Sequence, residues 1–329
     1  MTIMDCTLRD GANVMGDGFS EELTKLILNC LTENGVRIIE LGNAKGIGAY
    51  EIAGAKKALT DTEYLEVAQA YRDRAKLGMF QNAGRFRPEG IRLAAEYGLD
   101  FVRVGSAAGD GAGAQAVIEC VKESGMEAYY ALMKAYVLSP EELAEEAALL
   151  ASYGLDEITI MDSAGTMVPE QVDAYVRALK AAVAIPVGFH GHNNLGLAVA
   201  NARAAEGAGA DIIDCGLLGM ARSAGNIPTE VVAALFEQEG KDTGVDVFGL
   251  LNALEKGLIP AMEKQGYRPP IRPLDLVYGI SGAHSSFGKL FKTVATNTGV
   301  DLFKLINEVS KIDRKKPSEA LIRSVAEGL

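Results

Sequence analysis

The sequence predicts a (β/α)8 TIM barrel with a helical C-terminal extension, and three observations predict it. Short apolar runs rich in β-branched residues alternate eight times with longer Ala/Glu/Lys-rich amphipathic stretches, the pattern of strand and helix units around a parallel sheet. These units occupy roughly the length that a closed barrel of about 250 residues needs, and suit it better than an open doubly wound sheet. Beyond about residue 240 the strand signal fades, so 1–240 is assigned to the barrel and 241–329 to an extension packed on it.

Ile3–Cys6 is the first strand, and a helix over about 20–33 follows it until Glu33-Asn34-Gly35-Val36 places a glycine at the helix C-cap. Val36–Leu41 precedes a helix at 61–74, and Leu77–Phe80 precedes one at 88–97. Glu96-Tyr97-Gly98-Leu99-Asp100 repeats the glycine stop ahead of the strand Phe101–Val104, and a helix at 112–124 leads to Glu127–Leu132. The next helix, 140–153, has a full start signal: Ser139 as N-cap, Pro140 in the first turn, and Glu141 and Glu142 favourable to the dipole. Ser152-Tyr153-Gly154-Leu155-Asp156 ends it before Glu157–Met161. Helix 168–183, strand Val187–His190, helix 195–208, strand Asp211–Cys215 and helix 226–237 complete the eight units, with Gly207-Ala208-Gly209-Ala210-Asp211 again carrying the glycine stop. The extension reads as helices near 246–265, 286–298, 301–309 and 317–328, and the proline-dense run Arg268–Pro273 as a stiff connector.

Composition excludes several function classes. A net charge of −12 disfavours nucleic acid and anionic membrane surfaces as partners. The four cysteines, Cys6, Cys30, Cys120 and Cys215, are scattered and form no Cys-x-x-Cys pair, which argues against a disulfide framework or zinc knuckle and for a reducing compartment. The first residues carry no basic region leading into an apolar stretch, and no segment approaches the ~20 apolar residues of a membrane span. A cytoplasmic location is the expectation.

Of only three histidines, His190 and His192 stand one residue apart, a spacing that in an extended strand points both rings at one spot. Catalytic groups of such barrels come from the carboxyl ends of the strands, and the residues there are reactive: Arg9 and Asp10 after the first strand, Glu40 on the second, Arg103 on the fourth, Asp162 and Ser163 at the sixth, Asp214 on the eighth. A divalent cation held by two imidazoles needs an anionic oxygen ligand with open positions left for substrate. Asp10 is the first choice, because strand one closes the barrel beside strand eight; Asp162 and Asp214 compete, each alternatively a buried partner of Arg9 or Arg103. Arg9 offers a rigid donor fork for a carboxylate or enolate oxygen, or else an ion pair with Glu40. Asn226 is either an N-cap of the last barrel helix or a fourth metal ligand. Lys134, near the end of strand five, is the one lysine placed for Schiff-base chemistry. The glycine-rich loops Gly46–Tyr50 and Gly105–Gly113 either approach a ligand or serve as flexible barrel loops.

The runs Asp5-Cys6-Thr7-Leu8-Arg9-Asp10-Gly11, Ile39-Glu40-Leu41-Gly42, His190–Asn201 and Gly225-Asn226-Ile227-Pro228-Thr229-Glu230 together resemble the motifs of the DRE-TIM metallolyase superfamily. Within it the similarity is closest to the 4-hydroxy-2-oxovalerate aldolase family, because it continues through Tyr278–Phe287 to the C-terminus. The resemblance implies a lyase that cleaves a 4-hydroxy-2-oxo acid to pyruvate and an aldehyde through a metal-bound enolate. Asp10, His190 and His192 would bind Mn²⁺, with Mg²⁺, Co²⁺ or Zn²⁺ as alternatives; Arg9 would stabilise the pyruvate enolate and Ser163 would hold pyruvate. The small partner is a 2-oxo acid. An acylating aldehyde dehydrogenase, or a second copy of the chain, would dock on the C-terminal extension. Two departures stand out: Asn13 lies where the family has an acid/base histidine, and asparagine exchanges no proton at neutral pH. His284 lies where the family has a tyrosine, and could take over proton transfer with an ordinary pKa near 6.5. Alternatives are Claisen-type acyl-CoA chemistry, as in the lyase and synthase relatives, and a barrel that binds a partner without turnover.

Overall fold

A computed structural model describes residues 1–16, 18–52, 59–267, 277–279 and 281–329, with nothing stated of the Phe248 side chain. Eight parallel strands close in sequence order: β1 Thr2–Asp5, β2 Ile38–Leu41, β3 Lys76–Asn82, β4 Phe101–Ala107, β5 Glu127–Met133, β6 Glu157–Asp162, β7 Val187–Gly191 and β8 Ile212–Cys215. Closure is made by β1 on β8, with Asp5 opposite Cys215, and β7 lies on β8 with His190 opposite Asp214. The expected (β/α)8 barrel is therefore the fold.

Between the strands run α1 Glu21–Thr32, α2 Asp61–Ala68, α3 Pro88–Glu96, α4 Gln115–Glu123, α5 Pro140–Ala151, α6 Pro169–Ala182, α7 Ala198–Gly207 and α8 Thr229–Gln238. The reading of α5 from its start signal holds in detail: the Ser139 side chain accepts from Glu142 N–H and Glu142 reaches back to Ser139 N–H, satisfying two otherwise orphaned donors. The helix expected at 61–74 is shorter, because a 3₁₀ turn at Gln69–Tyr71 tightens its end. The helix expected at 246–265 is broken into α9 Val247–Ala253 and α10 Ile259–Lys264 by a π turn at Leu254–Leu258. Pro260 is the physical reason: it lacks an N–H, and its ring would strike the carbonyl four residues back in a regular helix. Helices Gly288–Thr298, Leu302–Ile312 and Glu319–Glu327 follow, while the expected connector 268–273 lies outside the described residues. No described helix is long and apolar enough to cross a membrane.

The inward side chains fill the barrel in layers. At the amino end Met4, Phe101, Tyr129 and Ile212 pack together, with the Phe101 and Tyr129 rings stacked 4.4 Å apart. Gly78 on β3 leaves the space that Phe101 occupies, since a Cβ there would fall 2.3 Å from that ring. The middle layer is charged. Arg103 is wholly buried and donates to both Glu40 oxygens at 2.8 Å and to Asp214. Burying charge in this way is sustainable only because each ion is paired, and it raises a row of carboxylates towards the barrel mouth. The main core gathers the strands and α1–α8 and includes Val247, Leu250, Leu254, Leu258 and Met262. A second cluster, from Tyr278 to Ala326, forms among the last helices.

Candidate metal centre and active site

After β1 the chain turns back sharply over the barrel mouth. The Cys6 carbonyl accepts from Arg9, Asp10 and Gly11 N–H at 3.1, 2.8 and 3.2 Å, and the turn is stitched to the β8 side because the Thr7 hydroxyl oxygen accepts from Leu217 N–H at 2.7 Å. Asp5 adds a second tie, accepting from Thr7 N–H at 2.8 Å and Thr229 Oγ1 at 2.6 Å. These ties aim the Asp10 carboxylate at the end of β7, towards His190 and, one residue past the strand, His192. Asp10 Oδ2 lies 3.7 Å from His190 Nε2 and 3.8 Å from His192 Nε2, and the two rings are 5.2 Å apart at 69°. The three donors lie within 4.8 Å of one another and are all buried.

Asp10 and His192 are held in the states that metal ligands need. Burial would raise the Asp10 carboxyl, but Arg9, His192, His190 and Arg222 outweigh it and hold it well below the usual carboxylate range. Burial pushes His192 down to about 3 against the opposing pull of Asp10, so its ring is neutral. His190 Nδ1 lies 3.3 Å from Asp214 Oδ2; donating its proton there leaves Nε2 free as a ligand, the carboxylate–imidazole support typical of metal sites. The Asp10–imidazole gaps are too long for hydrogen bonds yet close to the separations between ligands that each stand about 2.0–2.2 Å from one ion. Among the described residues, Asn226 Oδ1 is buried without a hydrogen-bond partner, as is His192 Nδ1. The donor set therefore fits a divalent cation.

Arg9 is fixed on two sides, Nε donating to Glu40 at 2.5 Å and Nη1 to Asp10 at 3.0 Å, with its guanidinium 5.2 Å from the Phe80 ring. Both readings of Arg9 are thus compatible, because the ion pair with Glu40 orients the fork beside Asp10. Asn13 donates from Nδ2 to the Asp10 carbonyl at 2.8 Å and to Asp10 Oδ1 at 3.2 Å, so it buttresses the carboxylate. Ser163, at the end of β6, accepts from Lys134 N–H at 2.9 Å. Lys134 Nζ donates to the Lys315 carbonyl at 2.6 Å.

Several expectations are corrected. Asn226 is no N-cap: the residue before α8 is Pro228, and Asn226 instead bridges to His192 and donates to Asp10 Oδ2 at 2.9 Å. Asp162 pairs with neither arginine. Its oxygens accept from Thr166 and Met167 N–H at 3.0 and 2.9 Å, building the turn before α6. Asp214 does pair with Arg103. His284 is half-buried, with Nδ1 2.7 Å from Ser286 Oγ. It does not keep an ordinary pKa near 6.5: burial first, then Arg222, His192 and Lys134, push it well below that value. Two residues were missed. Cys6 backs the site with Sγ 4.0 Å from His190 Nδ1, and burial pushes its thiol well up. Arg222 bears on Asp10, His192 and His284, and its signal was a lone arginine among mostly small residues in Gly219–Gly225.

The HMGL-like family model matches residues 1–256. The chain is 35% identical over 328 residues to a 4-hydroxy-2-oxovalerate aldolase of Geobacillus genomosp. 3, covering 99% of this chain and 96% of that one. It is 36% identical to 4-hydroxy-2-oxovalerate aldolase 2 of Nocardia farcinica, covering 100% and 94%. Among solved structures, the HMG-CoA lyase of Bacillus subtilis superposes with a TM-score of 0.67 at 21% identity, covering 84% of this chain and 97% of that one, a likeness of fold.

Proposed function

The chain belongs to the HMGL-like family, and from that premise we propose that it is a metal-dependent (class II) aldolase cleaving a 4-hydroxy-2-oxo acid to pyruvate and an aldehyde. The observation that carries the reading is the convergence of Asp10, His190 and His192 on one buried point, with Arg9 alongside. We assign the cation, Mn²⁺ in our proposal, to those three residues with Asn226 as a fourth contact. When bound, it supplies Lewis-acid polarisation of the 2-oxo group and lowers the cost of negative charge there.

The chain's own groups divide the remaining work. Ser163 holds the 2-oxo acid half, and Asn13 keeps Asp10 in place rather than exchanging protons. His284 Nδ1 accepts from Ser286 N–H at 3.2 Å, so the neutral ring carries its proton on Nε2 and its basic nitrogen is Nδ1, 2.7 Å from Ser286 Oγ; the 4-hydroxyl proton passes to Ser286 Oγ as the Ser286 hydroxyl proton passes to Nδ1. The C3–C4 bond then breaks, its electron pair passing into the enolate of pyruvate while C4 becomes the carbonyl of the aldehyde. Arg9 has Nε and Nη1 engaged by Glu40 and Asp10, which leaves Nη2 to donate to the enolate oxygen. A proton taken up at C3 completes pyruvate.

The four free thiols support a reducing, cytoplasmic location, and we propose the extension as the docking face for an acylating aldehyde dehydrogenase or a second copy. The test of the activity is pyruvate release from 4-hydroxy-2-oxopentanoate by metal-free protein before and after Mn²⁺ is added. Release that persists in chelator overturns the reading.

A further inference from the structure

Arg222 is half-buried on the loop between β8 and α8, and its guanidinium makes no ion pair or hydrogen bond among the described residues. The loop is built tightly. Gly225 N–H donates to the Arg222 carbonyl at 3.1 Å, Asn226 N–H to Gly219 O at 3.0 Å, and Ser223 takes a positive φ of 58°. Gly225, at φ 91°, is required here, since a Cβ would fall 2.3 Å from the Gly219 carbonyl oxygen. The loop is also clamped to the residues after His192: Asn193 N–H donates to Gly225 O at 2.8 Å and Asn194 Nδ2 to Ser223 Oγ at 2.8 Å. A strained, clamped turn therefore presents an unpaired arginine only four residues before Asn226.

Its position identifies what it addresses. Asn194, which donates to Ser223 Oγ at 2.8 Å, also meets the segment that carries His284, where a Cβ on Gly279 would fall 2.9 Å from Asn194 Cβ, so the Arg222 loop and the His284 segment pack on one residue, and Arg222 is among the cations that push His284 down. Arg9, also near the reacting centre, is already neutralised by Glu40 and Asp10. Arg222 and Lys134 thus set two positive charges around the group that serves carbon 4, in a chain whose net charge is −12. Arg222 feels Asp10 only at a distance and no described carboxylate is in hydrogen-bonding contact with its half-buried guanidinium, so an anion brought by a ligand would gain a direct partner there, and its planar fork matches a single carboxylate.

Resting on the aldolase reading, we infer that Arg222 binds a second carboxylate on the carbon-4 side of the substrate, which makes the substrate a 4-hydroxy-2-oxo dicarboxylic acid and the second product an oxo acid. The chemistry is unchanged. The 4-hydroxyl proton leaves, the C3–C4 pair enters the enolate, and the departing carbonyl compound carries the extra carboxylate away with it.

Two measurements on the Mn²⁺-loaded full chain test this. The first compares pyruvate release from racemic 4-hydroxy-2-oxoglutarate and 4-hydroxy-2-oxopentanoate. The second compares calorimetric Kd values for the uncleavable analogues 2-oxoglutarate and 2-oxopentanoate. We expect at least a ~30-fold preference for the dianion in kcat/KM and Kd, falling ~10-fold or more in Arg222→Met and only in part in Arg222→Lys. Equal preference in the wild type, or a preference that Arg222→Met leaves intact, overturns the assignment of Arg222 while pyruvate release upholds the aldolase. Release of pyruvate from neither acid overturns the aldolase, and the Kd ratio still decides Arg222.

Discussion

Two side chains, His284 on the C-terminal segment and Glu157 at the start of β6, show how burial sets chemistry. Among the described residues no carboxylate is hydrogen-bonded to His284; burial and the nearby cations push it well below its ordinary value, so the ring is neutral with a lone pair on Nδ1. His284→Gln keeps the shape and removes the base, so kcat is expected to fall ~10²–10⁴-fold while calorimetric Mn²⁺ affinity stays the same. An equal loss of both would make the residue a scaffold. Glu157, on β6, is pushed up to about 8 by burial, which outweighs Arg103 and the hydrogen bond from Thr159. In the fold it is protonated at neutral pH, whereas in the unfolded chain it ionises near 4.5. The folded state therefore binds more protons between pH 4.5 and about 8, and this group's contribution to stability is full below that window and lost as pH rises through it. Glu157→Gln removes the dependence. In urea unfolding the variant should gain on the wild type from pH 5.5 to 8, by up to about 1.4 kcal/mol per pH unit, and a constant difference would show Glu157 ionised in the fold.

Between residues and fold stand the turns, and the β6–α6 turn decides whether His192 is placed correctly. Gly165 has φ 60°, and a Cβ there would lie 2.6 Å from both the Asn194 nitrogen and the His192 carbonyl oxygen. Those are backbone atoms and cannot swing aside. Gly165→Ala is expected to cost ~1–3 kcal/mol in urea unfolding and to weaken Mn²⁺ binding ~10-fold or more by displacing His192. Unchanged metal affinity would mean that the turn is not part of the site's support. The sequence announces the Ser139 cap because capping is a local bargain among neighbours. It announces neither Gly165 nor the π turn before Pro260 as strongly, because the first depends on a strand remote in sequence and the second on competition between two helical ladders.

Across the whole molecule the charged layer running from Arg103 through Glu40 and Asp214 to Arg9 and Asp10 connects barrel packing to the site. An ion bound only by the folded chain stabilises it by mass action, about 2.7 kcal/mol at a free concentration 100 times Kd. Mn²⁺ should therefore raise Tm in a concentration-dependent way that EDTA reverses, and an unmoved Tm at saturating Mn²⁺ would count against the centre. The C-terminal segment closes over this end of the barrel: Lys315 pairs with Asp110 and takes the Lys134 ammonium on its carbonyl, and Gly279 packs on Asn194 and Leu195. His284, the last of the three histidines, reaches the barrel mouth from this segment.

What the sequence by itself determined was everything governed by period and local capping: the eight strand and helix units, the inward pair His190 and His192, and the reactive groups at the strand ends. These follow from alternation within a few residues, which a linear chain displays openly. Tertiary structure alone decided which oxygens face which nitrogens. Asp162 turned to the backbone of its own loop, Asn226 to Asp10, and Arg222 came within electrostatic reach of Asp10, His192 and His284 with no described carboxylate in hydrogen-bonding contact. The physical reason is that pairing and desolvation depend on distances between residues far apart in the chain, and only closure of β8 onto β1 fixes those distances.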